Sequence, residues 1–307
     1  MKPLGVSPCH RIPTTNPRFR TAQGARNGSS GLNRMAESFT PSNIAAALDA
    51  IAETFDQSFT NSVAGGAQRR SVWRELDRCF SPGQRILELE CGTGVDATHL
   101  ATRGVEVWAC EQSSKMLEVA HRRVVSSRLP APVSLFPLAP EQISMLQDRG
   151  PFDGAFSDFG ALNCVEDMAA LGRSLASLLK PGAKVVLCMA GTCVAWEVIL
   201  FLWHGRFRDA FRRLGRGPVH MRLTDDLYVA CWYPSVRAVR RAFCRHFGLL
   251  RWRGVGVAIP PTYWEKHAKR FPKVMTLLAK IDPWLGRTPL VRVLADHLLL
   301  TFEKAVF

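Results

Sequence analysis

The sequence predicts a doubly wound α/β fold, in which helices cover both faces of a mostly parallel sheet. Three observations predict it: short apolar segments alternate with amphipathic ones from residue 40 onward, a glycine-rich turn directly follows one apolar segment, and an acid ends the next. Such alternation is typical of parallel sheets, because each crossover between parallel strands needs a connecting helix. We expect this fold to occupy most of the 307 residues.

The expected elements follow from local patterns of apolar and turn-forming residues. Ile44, Leu48, Ile51 and Phe55 are spaced by three or four positions, which places them on one face of a helix. Strands are expected at 85–89, 105–110, 133–136, 152–156, 184–189, 249–259 and 297–302. Helices are expected at 44–55, 68–80, 97–102, 116–120, 168–179 and 235–247, the last ended by Gly248, with a hairpin at 220–233 turning at Thr224-Asp225-Asp226 and a helical insertion at 261–296.

Charge is distributed unevenly along the chain, whose formal net charge is +14. Residues 1–35 carry six basic and no acidic residues and are rich in Arg, Ser, Asn, Pro and Gly, a composition that predicts a disordered basic tail. Residues 36–192, which are mildly acidic, are expected to form the cofactor-binding core. Residues 193–307 hold twenty basic and eight acidic residues and are expected to form a cap or acceptor region plus C-terminal strands that complete the sheet.

Composition also bears on compartment and class. Hydrophobic residues at 47% and charged residues at 21% exclude a wholly disordered or collagen-like chain. The nine cysteines are scattered, without a C-x-x-C pair or a Cys/His cluster at zinc spacing, so we expect a reducing, cytoplasmic location and no metal site. The apolar stretch 185–203 is nearly long enough to span a bilayer, but Gly191 and Thr192 interrupt it, which favours a buried strand followed by a helix.

The glycine-rich turn Gly92-Thr93-Gly94 lies between the first expected strand and the next helix. Glycines let a ligand lie against the backbone, and the amino end of a helix favours anionic groups. Glu111 follows Gly92 by nineteen residues and ends the second strand, where a carboxylate accepts the hydroxyls of a ribose. The order of strand, glycine turn, helix, strand and acid predicts a nucleotide-type cofactor site.

The residues before the glycines narrow the choice of cofactor. Gly92 to Ala97 satisfies G-x-G-x-x-A, one form of the dinucleotide motif, so NAD(P) is an alternative. Glu88 and Glu90, however, bring negative charge to a place where a pyrophosphate would be repelled. A ligand with a positive amino group and a sulfonium fits this acidic strand end better.

The segment Ile86-Leu87-Glu88-Leu89-Glu90-Cys91-Gly92-Thr93-Gly94 resembles the first motif of class I S-adenosylmethionine-dependent methyltransferases, in particular the bacterial small-molecule methyltransferases. The likeness continues at Glu111, at Phe152-Asp153-Gly154-Ala155-Phe156-Ser157-Asp158 and at Leu178-Leu179-Lys180-Pro181-Gly182-Ala183. It covers residues 40–190. The resemblance implies a Rossmann-like methyltransferase fold with helical cap insertions after the fifth strand and before the last, and S-adenosylmethionine as cofactor.

The resemblance also implies roles for single residues. Glu88 would face the methionine amino group, and Glu111 would hold the ribose hydroxyls. Asp158 and Phe159 would line the space where cofactor and acceptor meet, and the helix ending near Phe55 would help to close over the cofactor. The complete expected cofactor site comprises Glu88, Glu90, Cys91, Gly92, Thr93, Gly94, Glu111, Gln112, Met116, Asp158 and Phe159, with Gln112 and Met116 bordering the adenine.

Three residues depart from the family pattern. Glu90 replaces a residue that is usually glycine, and Phe55 replaces a frequent tyrosine. Ala139 stands where the family often has an acid near the adenine, which leaves Glu141 or Gln142 as substitutes. These departures support an alternative in which the chain binds S-adenosylmethionine without catalysis.

The acceptor is expected to be a small or amphipathic metabolite, methylated on oxygen, nitrogen or carbon. Methyl transfer depends largely on holding two reactants close, so the sequence need not show a catalytic residue. Asp158 is a candidate base, an acceptor-orienting group, or a cap for local backbone amides. Further acceptor-pocket candidates after the fifth strand are His204, His220, Tyr228 and Tyr233, whereas Cys164 is interpreted as a packing residue.

Arginines and aromatics are interleaved in the region after the fifth strand. The arginines are Arg206, Arg208, Arg212, Arg213 and Arg216, and the aromatics are Phe201, Trp203, Phe207 and Phe211. This pattern is compatible with nucleic-acid binding, which would make the protein an RNA methyltransferase. It is also compatible with an amphipathic helix at an anionic membrane, or with a cap whose aromatics face inward and whose arginines are solvated.

Overall fold

The computed structural model describes residues 41–215, 217–222 and 227–306. The predicted tail at 1–35, Arg216 and the predicted turn Thr224-Asp225-Asp226 lie outside the described residues.

The strands of the main sheet are β1 (Arg85–Leu89), β2 (Glu106–Cys110), β3 (Val133–Phe136), β4 (Phe152–Ser157), β5 (Leu179–Ala190), β8 (Phe247–Val255) and β9 (His297–Lys304), and a separate antiparallel hairpin consists of β6 (Val219–Arg222) and β7 (Tyr228–Cys231). The seven strands of the main sheet have the order β3-β2-β1-β4-β5-β9-β8. The first five strands in that order pair in parallel, whereas β9 pairs antiparallel with both β5 and β8. The predicted doubly wound α/β fold is confirmed.

Helices connect the strands and cover the sheet. They are α1 (Pro41–Phe55), α2 (Val63–Cys79), α3 (Val95–Thr102), α4 (Ser114–Ser126), α5 (Met168–Leu178), α6 (Ala195–Trp203), α7 (Phe207–Ala210), α8 (Val236–Phe243), α9 (Glu265–Arg270) and α10 (Pro272–Leu285). Ser113 caps α4 by accepting a hydrogen bond from the backbone N–H of Met116, as its position before the apolar periodicity predicts.

The core lies on both faces of the sheet, because successive strand residues point in opposite directions. In β1, Leu87 and Leu89 pack into one buried apolar cluster with Phe152, whereas Ile86 packs into the cluster on the other face with Phe156. Strands that are buried on both faces have continuous apolar segments, and for this reason β1 and β5 could be predicted from the sequence.

Two predicted boundaries next to β8 were wrong. Helix α8 ends at Phe243, and Gly248 lies inside β8, where it pairs with Glu303. The predicted helix was too long because Phe247 buries its ring in the same cluster as Val239 and Phe243, but does so from the strand. Strand β8 also ends at Val255, before the predicted end at residue 259.

The fifth strand begins earlier than predicted, at Leu179, and contains the Lys-Pro-Gly turn as a local irregularity. Its register against β4 shifts between Phe152 and Gly154, and Gly182 has a φ of 74°. The apolar stretch 185–203 is a strand followed by a helix, as predicted. None of the helices in the described part of the chain is long and apolar enough to cross a bilayer.

Candidate active site

A cavity of about 340 Å³ lies at the carboxyl ends of the parallel strands. The residues that end or follow β1, β2, β4 and β5 meet at this edge, because the carboxyl ends of neighbouring parallel strands lie side by side. Among them, Cys91, Glu111, Asp158 and Ala190 line the cavity. The site is therefore assembled from segments that are far apart in sequence.

The glycine turn presents its backbone to this cavity. Gly92 has a φ of 53°, and a Cβ built at this residue would have no atom within 4 Å, so the position is open to a ligand. Gly94 instead allows close packing against α4. It has a φ of 72°, and a Cβ built at this residue would lie 3.0 Å from the Cβ of Ala120 on that helix. The two glycines thus have different functions, namely ligand approach and close contact with a helix.

Glu111 is tied to the glycine turn by its carboxylate. One oxygen accepts a hydrogen bond from the backbone N–H of Gly92 at 2.9 Å, and the other accepts one from Ser113 at 2.8 Å. Burial raises the pKa of Glu111 despite these bonds. Since a carboxylate has about four acceptor positions, both oxygens can still accept hydroxyl groups from the cavity side.

Three further buried acids lie beside this turn. Burial, together with neighbouring carboxylates, raises the pKa values of Glu88, Glu90 and Asp158 well above their usual range. One oxygen each of Glu88 and Glu90, and both oxygens of Asp158, lack a hydrogen-bond partner among the described residues. Buried carboxyl groups without partners are costly, so this edge of the sheet is suited to a cationic ligand.

Helix α1 closes one side of the cavity. Ile44, Leu48 and Phe55 line it from that helix. The helix is held by Asp49, which accepts a hydrogen bond from the hydroxyl of Ser113 at 2.5 Å. Asp56, just beyond the helix, accepts one from the hydroxyl of Thr93 at 2.8 Å and forms an ion pair with Arg123. These contacts bind the covering helix directly to the glycine turn and to α4.

A buried ion pair between Arg69 and Asp96 borders the cavity next to Asp158. Asp96 also accepts a hydrogen bond from the indole of Trp73 at 2.6 Å. The guanidinium of Arg69 lies 4.7 Å from the ring centroid of Phe159, a cation–π distance. This arrangement fixes the aromatic wall at the end of β4.

The β6–β7 hairpin supplies an apolar part of the cavity wall. Met221 and Val229 line the cavity together with Tyr233, which follows the hairpin. The hairpin was predicted as a pocket wall. Of the other candidates after β5, His204 and His220 are exposed, and neither they nor Tyr228 line the cavity.

His297 and Arg213 also line the cavity. His297 was not named from the sequence, and Arg213 was named only as part of the basic, aromatic cluster. His297 opens β9, and an antiparallel strand begins at the edge where the parallel strands end, so its first residue reaches the site. Burial lowers the pKa of His297, and its ring meets Phe159 edge-to-face at 5.4 Å. The histidine at the start of the last predicted strand could have indicated this role, but only if the position and direction of that strand in the sheet had been known.

The predicted cofactor residues divide into two groups. Eight of them line the cavity, namely Glu90, Cys91, Gly92, Glu111, Gln112, Met116, Asp158 and Phe159. Glu88, Thr93 and Gly94 lie behind this surface: Glu88 is buried in β1, Thr93 bonds to Asp56, and Gly94 packs on α4. Cys164, interpreted from sequence as a packing residue, lines the cavity with its sulfur 3.9 Å from that of Cys231.

The residues present fit S-adenosylmethionine. The open backbone at Gly92 gives an approach for the ligand, and Glu111 has free acceptor positions for ribose hydroxyls. The unpartnered carboxyl oxygens of Glu90 and Asp158 match the positive charges of a sulfonium and an ammonium group. Ala139 is buried and does not line the cavity, while Gln142 uses its side-chain oxygen to accept a hydrogen bond from the Ala139 backbone.

Comparisons with known proteins agree with this fit. A family model described as a methyltransferase domain matches residues 86–182, from β1 into the turn of β5. A demethylmenaquinone methyltransferase of Clavibacter sepedonicus is 32% identical over 155 residues, which cover 50% of this chain and 60% of the relative. One from Mycobacterium sp. (strain KMS) is 27% identical over 225 residues, covering 70% of this chain and 90% of the relative. The chain thus spans less than two thirds of the Clavibacter relative.

Solved structures share the fold. An S-adenosylmethionine-dependent methyltransferase from Methanosarcina mazei is 16% identical with a TM-score of 0.53, covering 76% of this chain and 97% of that one. A mycolic acid cyclopropane synthase complexed with S-adenosylhomocysteine and CTAB is 15% identical with a TM-score of 0.51, covering 77% and 85%. The motif, the sheet order, the family model and the curated relatives together show that this chain contains a class I S-adenosylmethionine-dependent methyltransferase domain.

Proposed function

We propose that this protein transfers a methyl group from S-adenosylmethionine to a small lipophilic acceptor. One observation supports the proposal most strongly: a single cavity is lined both by the glycine turn with Glu111 and by a set of apolar side chains. These apolar side chains are Ile44, Leu48, Met221 and Val229. An apolar wall contributes binding energy to an apolar acceptor and excludes water from the reacting atoms.

S-adenosylmethionine, when bound, supplies an electrophilic methyl group on a sulfonium. The protein contributes mainly by positioning, since in-line displacement needs the acceptor atom and the methyl group close together. Phe159, held by Arg69 and by the edge of His297, gives the acceptor side a rigid aromatic surface. Asp158 lies next to it, and a cation bound beside its buried carboxyl group would lower the raised pKa of that group and favour its ionised form.

An acceptor that must lose a proton needs a base, and His297 is the candidate that we favour. Burial lowers its pKa, so the imidazole is neutral and able to accept a proton near pH 7. Its Nδ1 lies 3.6 Å from a carboxylate oxygen of Asp296, which stabilises the imidazolium once it forms. Asp158 is less suited to this task, because burial and the neighbouring Asp96 raise its pKa and so favour the protonated carboxyl group, which cannot accept the acceptor's proton.

We further propose that the basic C-terminal region brings the protein to an anionic membrane surface, from which a lipophilic acceptor would enter. Trp203 is 86% exposed, Phe207 66% and Phe211 47%, so these three aromatics do not face inward as a simple cap requires. Arg208 beside them is exposed as well. By contrast, Arg212 and Arg213 are turned inward to pair with Glu197.

Exposed aromatics next to cations favour binding to an anionic bilayer over binding to RNA, because the rings can insert into the headgroup region while the cations attract its negative charge. The surface is adjacent to the cavity, because Arg213 lines the cavity three residues after Ala210 ends α7. The cytoplasmic location expected from the scattered cysteines stays a prediction.

The decisive experiment measures transfer of radiolabelled methyl from S-adenosylmethionine to three acceptor pools: reduced demethylmenaquinone in detergent, bulk lipid extract and total RNA. The relatives' name makes demethylmenaquinone the first acceptor to try. We expect label in the quinol or in another extractable lipophilic compound. Label in RNA alone would overturn the lipophilic acceptor, and absence of label from every pool with intact cofactor binding would favour a non-catalytic protein.

The base is tested with His297→Gln, with Tyr233→Phe as a control that also lines the cavity. We expect His297→Gln to lower kcat by about 100-fold or more, the usual contribution of general base catalysis, with little change in affinity for S-adenosylhomocysteine. The wild-type rate should fall at acidic pH as the imidazole takes up a proton. An unchanged pH profile in His297→Gln would contradict this role.

A further inference from the structure

A second pocket, of about 240 Å³, lies against the face of the sheet formed by β8 and β9 and beside α2. Arg251, Trp252 and Arg253 contribute to it from β8, and Leu299 and Thr301 from β9. None of its lining residues lines the candidate active-site cavity. The pocket is therefore a separate feature of the fold.

Arginine dominates the lining of this second pocket. Five arginines line it, together with a single carboxylate, that of Glu75. The five come from three parts of the chain, namely α2, β8 and the segment between α10 and β9: Arg78, Arg251, Arg253, Arg287 and Arg292. The fold thus brings together like charges that would otherwise repel one another.

Glu75 neutralises only part of this charge. Its carboxylate contacts Arg251 at 2.5 Å, Arg78 at 3.2 Å and Arg253 at 3.5 Å. Burial opposes its ionisation, but hydrogen bonds from Arg251 and Thr301 hold the pKa of Glu75 below its usual value. One ionised acid faces five guanidinium groups, so the pocket keeps a strong excess of positive charge.

Two of these arginines have donors that no described residue satisfies. The Nε atoms of Arg253 and Arg292 are buried and lack a hydrogen-bond partner in the described part of the chain. Arg253 is 8% exposed, and burial together with the like charges of Arg287 and Arg78 lowers its pKa. Buried cationic donors without acceptors are costly, and an anion in the pocket would remove this cost.

Arg292 is also held in place rather than extended into solvent. Its guanidinium stacks over the ring of Trp252 at 3.8 Å, and one Nη donates to the backbone oxygen of Trp252 at 3.3 Å. Stacking of this kind fixes the planar group and leaves its edge free for an oxyanion. The site is therefore organised before an anion binds.

We propose that this pocket is a binding site for a phosphate-type anion, a mono- or diphosphate group, held by Arg253, Arg287 and Arg292 with Arg78 at the rim. Phosphate suits the site because guanidinium groups bind its oxygens in pairs, and because its two negative charges match an excess of cations. The phosphate belongs either to a soluble compound or to a lipid headgroup, and the test separates these sources. The proposal does not depend on methyl transfer.

The phosphate-site proposal is tested by titration calorimetry of the full chain at constant ionic strength, with inorganic pyrophosphate and with inorganic phosphate. The informative variants are Arg287→Glu and Arg78→Glu, because both side chains are exposed enough for substitution without loss of the fold. Arg240→Glu is the matched control: this exposed arginine on α8 does not line the pocket, and the change in net charge is the same. The chain has eight tryptophans, so a change in emission on ligand binding is assigned to Trp252 by its loss in Trp252→Phe.

We expect pyrophosphate to bind and to alter Trp252 emission, with affinity weakened at least about tenfold by Arg287→Glu and Arg78→Glu and preserved by Arg240→Glu. A parallel arm uses vesicles containing phosphatidic acid; binding there but not to free pyrophosphate, with the same pattern among the variants, assigns the phosphate to a lipid headgroup. Equal weakening in all three variants overturns the proposal, as does absence of binding in both arms by the folded wild type.

Discussion

Glu111 accepts a hydrogen bond from the backbone N–H of Gly92 at 2.9 Å, although nineteen residues separate them in the chain. The acid that ends β2 therefore fixes the shape of the glycine turn that follows β1. Cofactor binding and the conformation of the turn depend on the same side chain.

Replacing Glu111 should consequently weaken the site in two ways. We expect Glu111→Ala to reduce affinity for S-adenosylmethionine by about 100-fold or more, because the ribose acceptors and the tether of Gly92 are lost together, and hydrogen bonds to a charged group contribute about 1.5–3 kcal/mol each. Titration calorimetry with S-adenosylmethionine and S-adenosylhomocysteine measures this. Glu53→Ala, an exposed acid on α1 outside the cavity lining, is the control. Equal affinities in wild type and Glu111→Ala would contradict the assignment.

Glu90 has an unfavourable backbone conformation, with a φ of 56° in a non-glycine residue. Its side chain is also buried with one oxygen unpaired. We expect Glu90→Gly to raise the melting temperature by about 2–4 °C, since relief of a left-handed conformation is worth roughly 1–2 kcal/mol, and the entropy that glycine loses on folding, roughly 0.5–1 kcal/mol, offsets only part of this gain.

Thermal unfolding of Glu90→Gly beside Glu90→Gln separates the two causes. Glu90→Gln removes the charge and keeps the side chain in the left-handed conformation, so it should gain less stability than Glu90→Gly. A lower melting temperature for Glu90→Gly than for the wild type would show that the hydrogen bond from Gln112 to Glu90, at 3.1 Å, outweighs the backbone strain.

Binding of the cofactor should release protons. The pKa values of Glu90 and Asp158 are raised in the folded protein, and a cation placed beside them lowers those values again. Affinity for S-adenosylmethionine should therefore increase as the pH rises. Calorimetry in two buffers of different ionisation enthalpy measures how many protons the protein releases on binding. Binding of S-adenosylhomocysteine, which lacks the sulfonium charge, should release fewer protons than binding of S-adenosylmethionine. Equal release by both ligands would contradict the role of these acids.

The same acids set a pH dependence of stability. A raised pKa in the fold means that the folded state keeps protons that the unfolded chain loses near pH 4 to 5, where the ordinary carboxyl values of 3.8 and 4.5 lie. The free energy of unfolding contributed by these groups should fall as the pH rises through that range and beyond, until they ionise in the fold as well. Urea unfolding of the wild type and Glu90→Gln across this range measures the effect, which should be smaller in the variant.

The exposed aromatics at the end of α6 and the start of α7 should control membrane binding. We expect Trp203→Ser combined with Phe207→Ser to weaken sedimentation with phosphatidylglycerol vesicles at least about tenfold, because burial of each large apolar side chain contributes roughly 1.5–3 kcal/mol. Met145→Ser, a 70% exposed apolar residue outside this region, is the control. The melting temperature should stay nearly constant in all variants, and unchanged vesicle binding by the double variant would contradict the membrane proposal.

Local pattern accounts for the part of the site that the sequence predicted. Buried strands with apolar residues on both faces, the glycine turn and the acid at the end of β2 are each encoded by a few neighbouring residues. Their joint position then follows from the rule that carboxyl ends of parallel strands share one edge. For this reason Gly92 and Glu111 were identified in advance, and both line the cavity.

Contacts between distant segments decided the rest. The insertion of β9 between β5 and β8 brings His297 to the active-site edge, and the packing of α2 against β8 assembles the arginine pocket from residues as far apart as Arg78 and Arg292. From the sequence, Trp203 and Arg213 belong to one basic, aromatic cluster. Only the fold shows that the ring of Trp203 is exposed, whereas the guanidinium of Arg213 pairs with Glu197. Periodicity reports which residues share a face of one element, whereas charge pairing and burial depend on the element packed against it.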